Sequence, residues 1–383
     1  MTTTGDGSTV NDGSTINEQP VVFPSDLTEL TPDVLTAALS GHSPGVVVER
    51  VDIVAAKRCG DGVASTADRV IVDLTYADGT ADDLPQRLIL KTMLATPHAP
   101  AAMYENEVRF YRELRGELDI EAPAAFASHF DEATGRFGLL LEDLTARDAH
   151  FPSAIEPVSL DQVRSLLSHL ATLHARFWNS PRFDDELAWV ATPMSGGMFE
   201  VFDLIGLELI EDQVARNPFK QELIAPLGRS VPEMWELLWQ VQRRHCAAPT
   251  TLLHGDTHLG NTYLLPGERG GWLDWQLMMR GSWAHDVVYL MVTALDPQVR
   301  RDHERDLLAE YLDRLGAGGV TDAPAPDEAF EQCRAAALWG LVIGWLICPP
   351  ENYGQPITEA NISRTVTAVT DYDTIALIEE WTR

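Results

Sequence analysis

Between Leu252 and Gln276 the chain sets polar, ionisable side chains among short apolar runs: His254, Asp256, His258 and Asn261, then Asp274 after Trp272-Leu273. Burying such groups without partners is costly, so they need one another or a ligand. Three chemistries compete for them. In a purely structural loop, His and Asp cap turns and bond to the backbone. In a metal-dependent phosphohydrolase, His254, Asp256 and His258 face one metal and the His285-Asp286 pair adds ligands, but no HExxH or second His cluster accompanies them. Phosphoryl transfer needs a carboxylate for the attacking hydroxyl, an Asn and a second Asp for magnesium, and a cation on the nucleotide phosphates.

The spacing meets the demands of phosphoryl transfer. Asp256 and Asn261 are five apart, the interval between Asp and Asn in the kinase catalytic loop. Asp274 follows on the next short strand. Upstream, Lys91 ends the apolar strand Leu88-Ile89-Leu90, where a point charge can face a cleft, and Glu107 sits on the next helix, able to pair with it. A lone strand-end Lys is usually a solvated edge residue and a lone helical Glu usually surface. The ordered set of five is a specific signal.

The elements that must position these residues are legible around them. Thr31-Pro32-Asp33 reads as a helix start. Val46–Val48 with Val51–Val54, Val70–Tyr76 and Leu88–Lys91 read as three strands, with a turn at Asp78-Gly79. A helix follows over Met103–Arg115, then strands over Ala124–His129 and Phe137–Leu141. Three strands, a helix and two strands make a small antiparallel sheet with one main helix against it. From Asp148 onward the chain reads as mainly helical, over Leu160–Trp178 and roughly 198–214, 230–246, 284–295, 299–315, 326–348 and 358–380, interrupted by a β-rich island over Thr251–Trp275. The expected class is therefore α+β, with a disordered tail over 1–22, a first lobe over 23–144 and a larger helical lobe over 145–383.

Composition excludes several alternatives. The chain has 383 residues, 45% hydrophobic and 22% charged, a globular balance with room for two lobes. Its formal net charge of −30 argues against nucleic-acid partners, because no basic stripe is set aside for phosphate. The start lacks Lys, Arg and an apolar core, and the longest apolar run, Ala335–Cys348, is too short to span a bilayer. The four cysteines are far apart with no CxxC pair, which suits a reducing cytoplasm.

The segments HGDTHLGN (254–261) and LDWQ (273–276) resemble the aminoglycoside phosphotransferase and choline kinase superfamily, closest in pattern to its ecdysteroid-kinase-like branch. GDGVAS (60–65), LILK (88–91), ENEVRFY (105–111), LLLEDL (139–144), LATLHARFW (170–178) and HDVVYLM (285–291) support it, over about residues 55 to 295. The resemblance implies a two-lobed protein-kinase-like fold and an ATP- and magnesium-dependent kinase acting on a hydroxyl of a small molecule, with GTP as a possible alternative nucleotide. It implies Asp256 as catalytic base, Asn261 and Asp274 as magnesium ligands, Lys91 on the α/β-phosphates and Glu107 holding it. The backbone of Glu142 and Leu144 would meet the adenine edge, and the turn around Gly62 and Ser65 would cover the phosphates. His254 is expected to prop the loop and Asp286 to be structural. Asp61 in the phosphate turn and Trp275, where many relatives carry Phe, depart from the pattern. Met198, Phe199, Phe202, Trp339, Trp345 and the turn Pro349–Tyr353 are candidate acceptor lining, in an apolar or mixed pocket. A catalytically silent nucleotide-binding module remains the alternative outside enzymes. Acceptor identity and oligomeric state have no signature.

Overall fold

The computed structural model describes residues 21–59, 66–81, 83–94 and 99–381. Residues 1–20 of the tail expected over 1–22, and the phosphate turn with Gly62 and Ser65, lie outside these residues.

The first part is built on a five-stranded, fully antiparallel sheet of β1 (Val48–Lys57), β2 (Asp68–Tyr76), β3 (Arg87–Thr92), β4 (Ala125–Asp131) and β5 (Arg136–Glu142), in the order β1-β2-β3-β5-β4. Alternation explains its two faces. Val70, Val72, Leu74, Leu88, Leu90 and Leu140 form one core with Leu35, Ala38 and Leu39 of helix α1 (Pro32–Leu39). Leu139 and Leu141 turn the other way, to a core with Tyr104 and Val108 of α2 (Ala101–Arg109). The sheet thus has a helix on each face, where the sequence pattern suggested one. Helix α1 starts as read, with Thr31 accepting from the Val34 N–H and Pro32 in the first turn.

The helix expected over 103–115 ends its α-helical part at Arg109 and continues as a π-helical turn, Phe110–Leu114. Beyond β5 the chain is mostly helical: α3 (Leu160–Phe177), α4 (Gly196–Val201), α5 (Leu207–Arg216), α6 (Pro218–Ile224), α7 (Val231–Cys246), α8 (Ala284–Ala294), α9 (Pro297–Ala317), α10 (Pro326–Trp339), α11 (Pro350–Tyr353), α12 (Gln355–Asp371) and α13 (Thr374–Glu380). All eleven residues of α8 are buried, as its nearly all-apolar sequence requires. It packs against α3, α9, α10 and α12.

The β-rich island consists of two ribbons. β6 (Thr251–Leu253) pairs with β9 (Met279–Gly281), and β7 (Thr262–Leu265) pairs with β8 (Arg269–Trp272). No described helix is long and apolar enough to cross a membrane. Cys246, Cys333 and Cys348 form no disulfide.

Candidate active site

Lys91 enters the site by strand alternation. Leu88 and Leu90 of β3 face α1, so Lys91 faces α2. Its Nζ lies 2.6 Å from Glu107 Oε2 and 3.2 Å from Asp274 Oδ1. Lys91 and Glu107 are almost fully buried, and charges so placed persist only when paired. Burial pushes the Glu107 carboxyl above its ordinary range despite Lys91. Burial acts on Asp274 in the same sense, but Lys91 and Arg69 outweigh it and hold that carboxyl low. Asp274 sits at φ 61°, a left-handed conformation that Asp tolerates better than most residues.

Asp256 is positioned by a loop whose main chain is pinned. Asp286, in the first turn of α8, accepts the N–H groups of His254 (2.7 Å) and Gly255 (3.0 Å). His174 Nε2 of α3 lies 3.2 Å from the same carboxylate. Gly255 adopts φ +85°, and a Cβ there would fall 2.0 Å from the Leu277 carbonyl oxygen, so only glycine fits. The Asp256 carboxylate accepts from Asn261 Nδ2 at 2.9 Å, and the same amide also donates to the Asp256 carbonyl at 3.0 Å. Burial pushes the Asp256 carboxyl up to about 6.

The imidazoles hold the loop. His254 Nε2 donates to the Leu273 carbonyl at 2.8 Å and its Nδ1 accepts the Asp256 N–H at 3.3 Å. His285 Nε2 donates to the Gly255 carbonyl at 3.0 Å. His258 Nδ1 accepts the Gly260 N–H at 3.0 Å, which leaves its proton on Nε2, 3.7 Å from Asp256 Oδ2. Burial lowers all three, His258 to about 4, so they are neutral at pH 7. Both ring nitrogens of His254 are taken up by the main chain and are not free for a metal. Among the described residues no group of three or more His, Cys, Asp and Glu is arranged to hold a metal ion. His254 and Asp286 are both bonded to the main chain of the loop.

The remaining expected positions are mixed. Glu142 ends β5 with its N–H on the Ala124 carbonyl at 3.0 Å, and its carboxylate takes the Ala124 N–H at 3.0 Å and Arg147 at 3.2 Å. Leu144 opens a short turn capped by Asp143. Trp275 is fully buried, stacked on Phe110 with ring centroids 3.7 Å apart, so its extra bulk ties the Asp274 segment to the end of α2.

The expected acceptor lining splits in two. Met198, Phe199, Phe202 and Trp339 line a cavity of about 220 Å³ beneath α2, which none of Lys91, Glu107, Asp256, Asn261 and Asp274 lines. Trp345 instead lies with Tyr353 around His258, at ring-centroid distances of 5.3 and 5.6 Å. Tyr289 reaches the same region, and burial together with the neighbouring Asp256 pushes its hydroxyl titration up. Sequence reasoning missed Tyr289 and Asn106. Asn106 Nδ2 donates to the Gln276 and Met278 carbonyls, both at 3.2 Å, tying α2 to the segment after Asp274. Its only signal was adjacency to Glu107.

Known proteins of related structure are distant in sequence. An ethanolamine kinase of Plasmodium vivax is 10% identical over 86% of this chain and 83% of its own, with a TM-score of 0.48. Choline kinase LicA of Streptococcus pneumoniae is 12% identical over 88% and 98%, with a TM-score of 0.44. The ADP-bound aminoglycoside phosphotransferase APH(2'')-Ib is 12% identical over 85% and 94%, with a TM-score of 0.44. No curated protein matches the chain. The ecdysteroid kinase-like family matches residues 59–318, more than half of the sequence, and the match contains every residue of the constellation above. The chain therefore belongs to the ecdysteroid kinase-like family.

Proposed function

We propose that the chain is an ATP- and magnesium-dependent O-kinase that phosphorylates a hydroxyl of a small molecule, with GTP as the alternative nucleotide. The observation that carries this reading is one convergence. Lys91 from the sheet, Glu107 from α2 and Asp274 from the island lie within 3.2 Å of one ammonium, beside the Asp256–Asn261 pair.

In this reading Lys91 contacts the nucleotide phosphates and Glu107 fixes its rotamer. The main chain at Glu142 and Leu144 meets the base, and Gly62 and Ser65 are assigned to the phosphates. The residues present fit magnesium. Asp274 offers a carboxylate held ionised, and Asn261, whose amide nitrogen is engaged by Asp256, has its oxygen left to face a hard cation. Two protein oxygens suit magnesium, which usually completes its shell with phosphate oxygens and water. Magnesium-bound ATP supplies the phosphoryl group and the charge neutralisation. Asp256 orients the acceptor hydroxyl and takes its proton, and a carboxyl raised to about 6 is a better base than an exposed aspartate while still ionised at pH 7.

Residues 23–144 then form the nucleotide-binding lobe and 145–383 the lobe that carries the catalytic loop and acceptor site. Thiols rather than disulfides at Cys246, Cys333 and Cys348 fit a cytoplasmic enzyme. The test is a panel of hydroxylated compounds, including aminoglycosides, with ADP release as readout and Asp256→Asn as the blank. At least one compound should release ADP in the parent and fail with the variant. Nucleotide binding without turnover of any panel member would instead favour a silent nucleotide-binding module.

A further inference from the structure

Helix α2 has two working faces. Met103, Tyr104, Glu107 and Val108 are buried on one of them. Ala102, Glu105, Asn106 and Arg109, spaced i, i+3, i+4 and i+7, form the other and make one wall of the cavity. The second wall is Leu277–Met279, three to five residues after Asp274. The third comes from residues 189–202 and Trp339. The cavity is separate from the transfer site. Leu277 main chain packs so closely on Gly255 that no side chain fits between them, and no residue of the catalytic constellation reaches the cavity.

The lining defines the chemistry of an occupant. Trp189, Met198, Phe199, Phe202, Met279 and Trp339 give aromatic and thioether surface, which favours a ring system. The lining charges, Glu105 and Arg109, are opposite and 3.6 Å apart, and Arg109 is also stacked on Trp189 at 3.8 Å. No net charge is left over for an ionic ligand to neutralise. The Trp189 indole N–H is buried without an acceptor, which suits an occupant carrying an oxygen.

We propose that this cavity is a second small-molecule site, distinct from the transfer site, which takes a neutral ring compound bearing an ether, carbonyl or hydroxyl oxygen, and that its occupant steadies α2 against the segment following Asp274. The link to Lys91 is short. Asn106 holds the Gln276 and Met278 carbonyls, and the next residue, Glu107, holds Lys91. An occupant that braces these walls holds Lys91, Glu107 and Asp274 in register, so it tightens Mg·ADP binding, and by linkage Mg·ADP tightens the occupant by the same factor.

The probe is 2-methoxynaphthalene, which has no hydroxyl and so cannot be an acceptor. Its intrinsic fluorescence is titrated with the full chain, alone and with saturating Mg·ADP. Expected is saturable one-to-one binding, weakened at least tenfold by Ala102→Phe, which fills the cavity from α2, and by Ser195→Trp, which blocks it from an exposed position. The second variant keeps the test decisive if the first fails to fold. Absence of saturable binding, or binding indifferent to both variants, overturns the site. Displacement of the probe by Mg·ADP overturns its separateness. Tightening at least threefold by Mg·ADP supports the brace, and unchanged affinity overturns it. The two binding results without nucleotide do not depend on the kinase reading, whereas the nucleotide effect rests on it.

Discussion

The segment from His254 to Asp286 and the aromatic wall over residues 189–202 are held by different physics. In the first, position comes from hydrogen bonds between buried groups: Asp286 on two consecutive N–H groups, and His254 and His285 on the Leu273 and Gly255 carbonyls. In the second, it comes from apolar contact around a cavity, with Leu204 left 81% exposed beside it. Directional bonds fix a carboxylate to within a few tenths of an ångström, which phosphoryl transfer demands. Apolar contact fixes volume and leaves shape adjustable. The difference teaches that bonded and packed regions of one chain obey separate constraints and respond differently to substitution.

The largest expected effect lies at the centre of the bonded segment. Asp256→Asn should lower turnover by about 10²–10⁴, the usual contribution of a positioned base, while Mg·ADP still binds. Calorimetric nucleotide titration beside the ADP-release assay checks both halves. Turnover within tenfold of the parent would remove Asp256 from the reaction.

Next comes the anchor. Asp286→Asn puts an amide where two N–H groups and His174 need acceptors, and only one amide oxygen is available. Burial alone would raise Asp286, but the hydrogen bond with His174 works against it and the carboxyl is held low, so the charge belongs to the folded state. The variant should lose about 3 kcal/mol in urea unfolding, in line with breaking a buried charged network. A loss under 1 kcal/mol would mean that the loop holds its shape without the anchor.

These two regions were also unequally legible in the sequence. Asp256, Asn261 and Asp274 could be found because a single loop and hairpin carries them at fixed spacing. Lys91 and Glu107 were found through order along the chain, although their 2.6 Å contact depends on the tertiary seating of α2. The wall was legible only in part: Met198, Phe199, Phe202 and Trp339 read as lining of one apolar or mixed pocket, whereas Trp189 and Met279 join them only in the folded chain and each reads alone as ordinary core. The π-helical turns Phe110–Leu114, Phe202–Gly206 and Gly340–Leu346 were read as uninterrupted helix. A π turn widens the helix locally without breaking the apolar pattern. The second and third left traces: Gly206, where a Cβ would lie 2.7 Å from the Trp235 ring, and Gly340 and Gly344, where a Cβ would lie 2.7 and 2.2 Å from Tyr289 atoms. The helix α1 side of the sheet went unassigned because a helix start carries no information about which face it covers.

A smaller effect separates reactivity from stability at one residue. A carboxyl raised from 3.8 to about 6 takes up a proton on folding between those values, so its ionisation costs stability above pH 6. The full shift corresponds to about 3 kcal/mol, which partial exposure of Asp256 reduces to about 2 kcal/mol. Asp256→Asn should therefore be more stable than the parent by about that amount at pH 8, with the advantage shrinking as pH falls through 6 and absent near pH 4. In the parent, kcat/KM should fall below pH 6 as the base protonates. Equal unfolding midpoints of parent and variant at pH 8 would show that the carboxylate is solvated well enough to cost nothing.

The smallest expected effect tests the turn beside the apolar wall. Leu204 sits in the π-helical turn between α4 and α5 with its side chain 81% exposed, and Ile205 and Leu209 are exposed beside it. An exposed leucine has little apolar area left to lose on unfolding, so Leu204→Ser should change stability by less than about 0.5 kcal/mol. Turnover should also be unchanged, because the turn reaches none of the groups that hold Asp256. Urea unfolding at pH 7 reads the first and the ADP-release assay the second. A loss above 1 kcal/mol would mean that Leu204 packs on a surface formed only in solution, for instance a second copy of the chain. In that case the wall would be as tightly specified as the catalytic loop, and the contrast between bonded and packed regions would fail where it is most exposed.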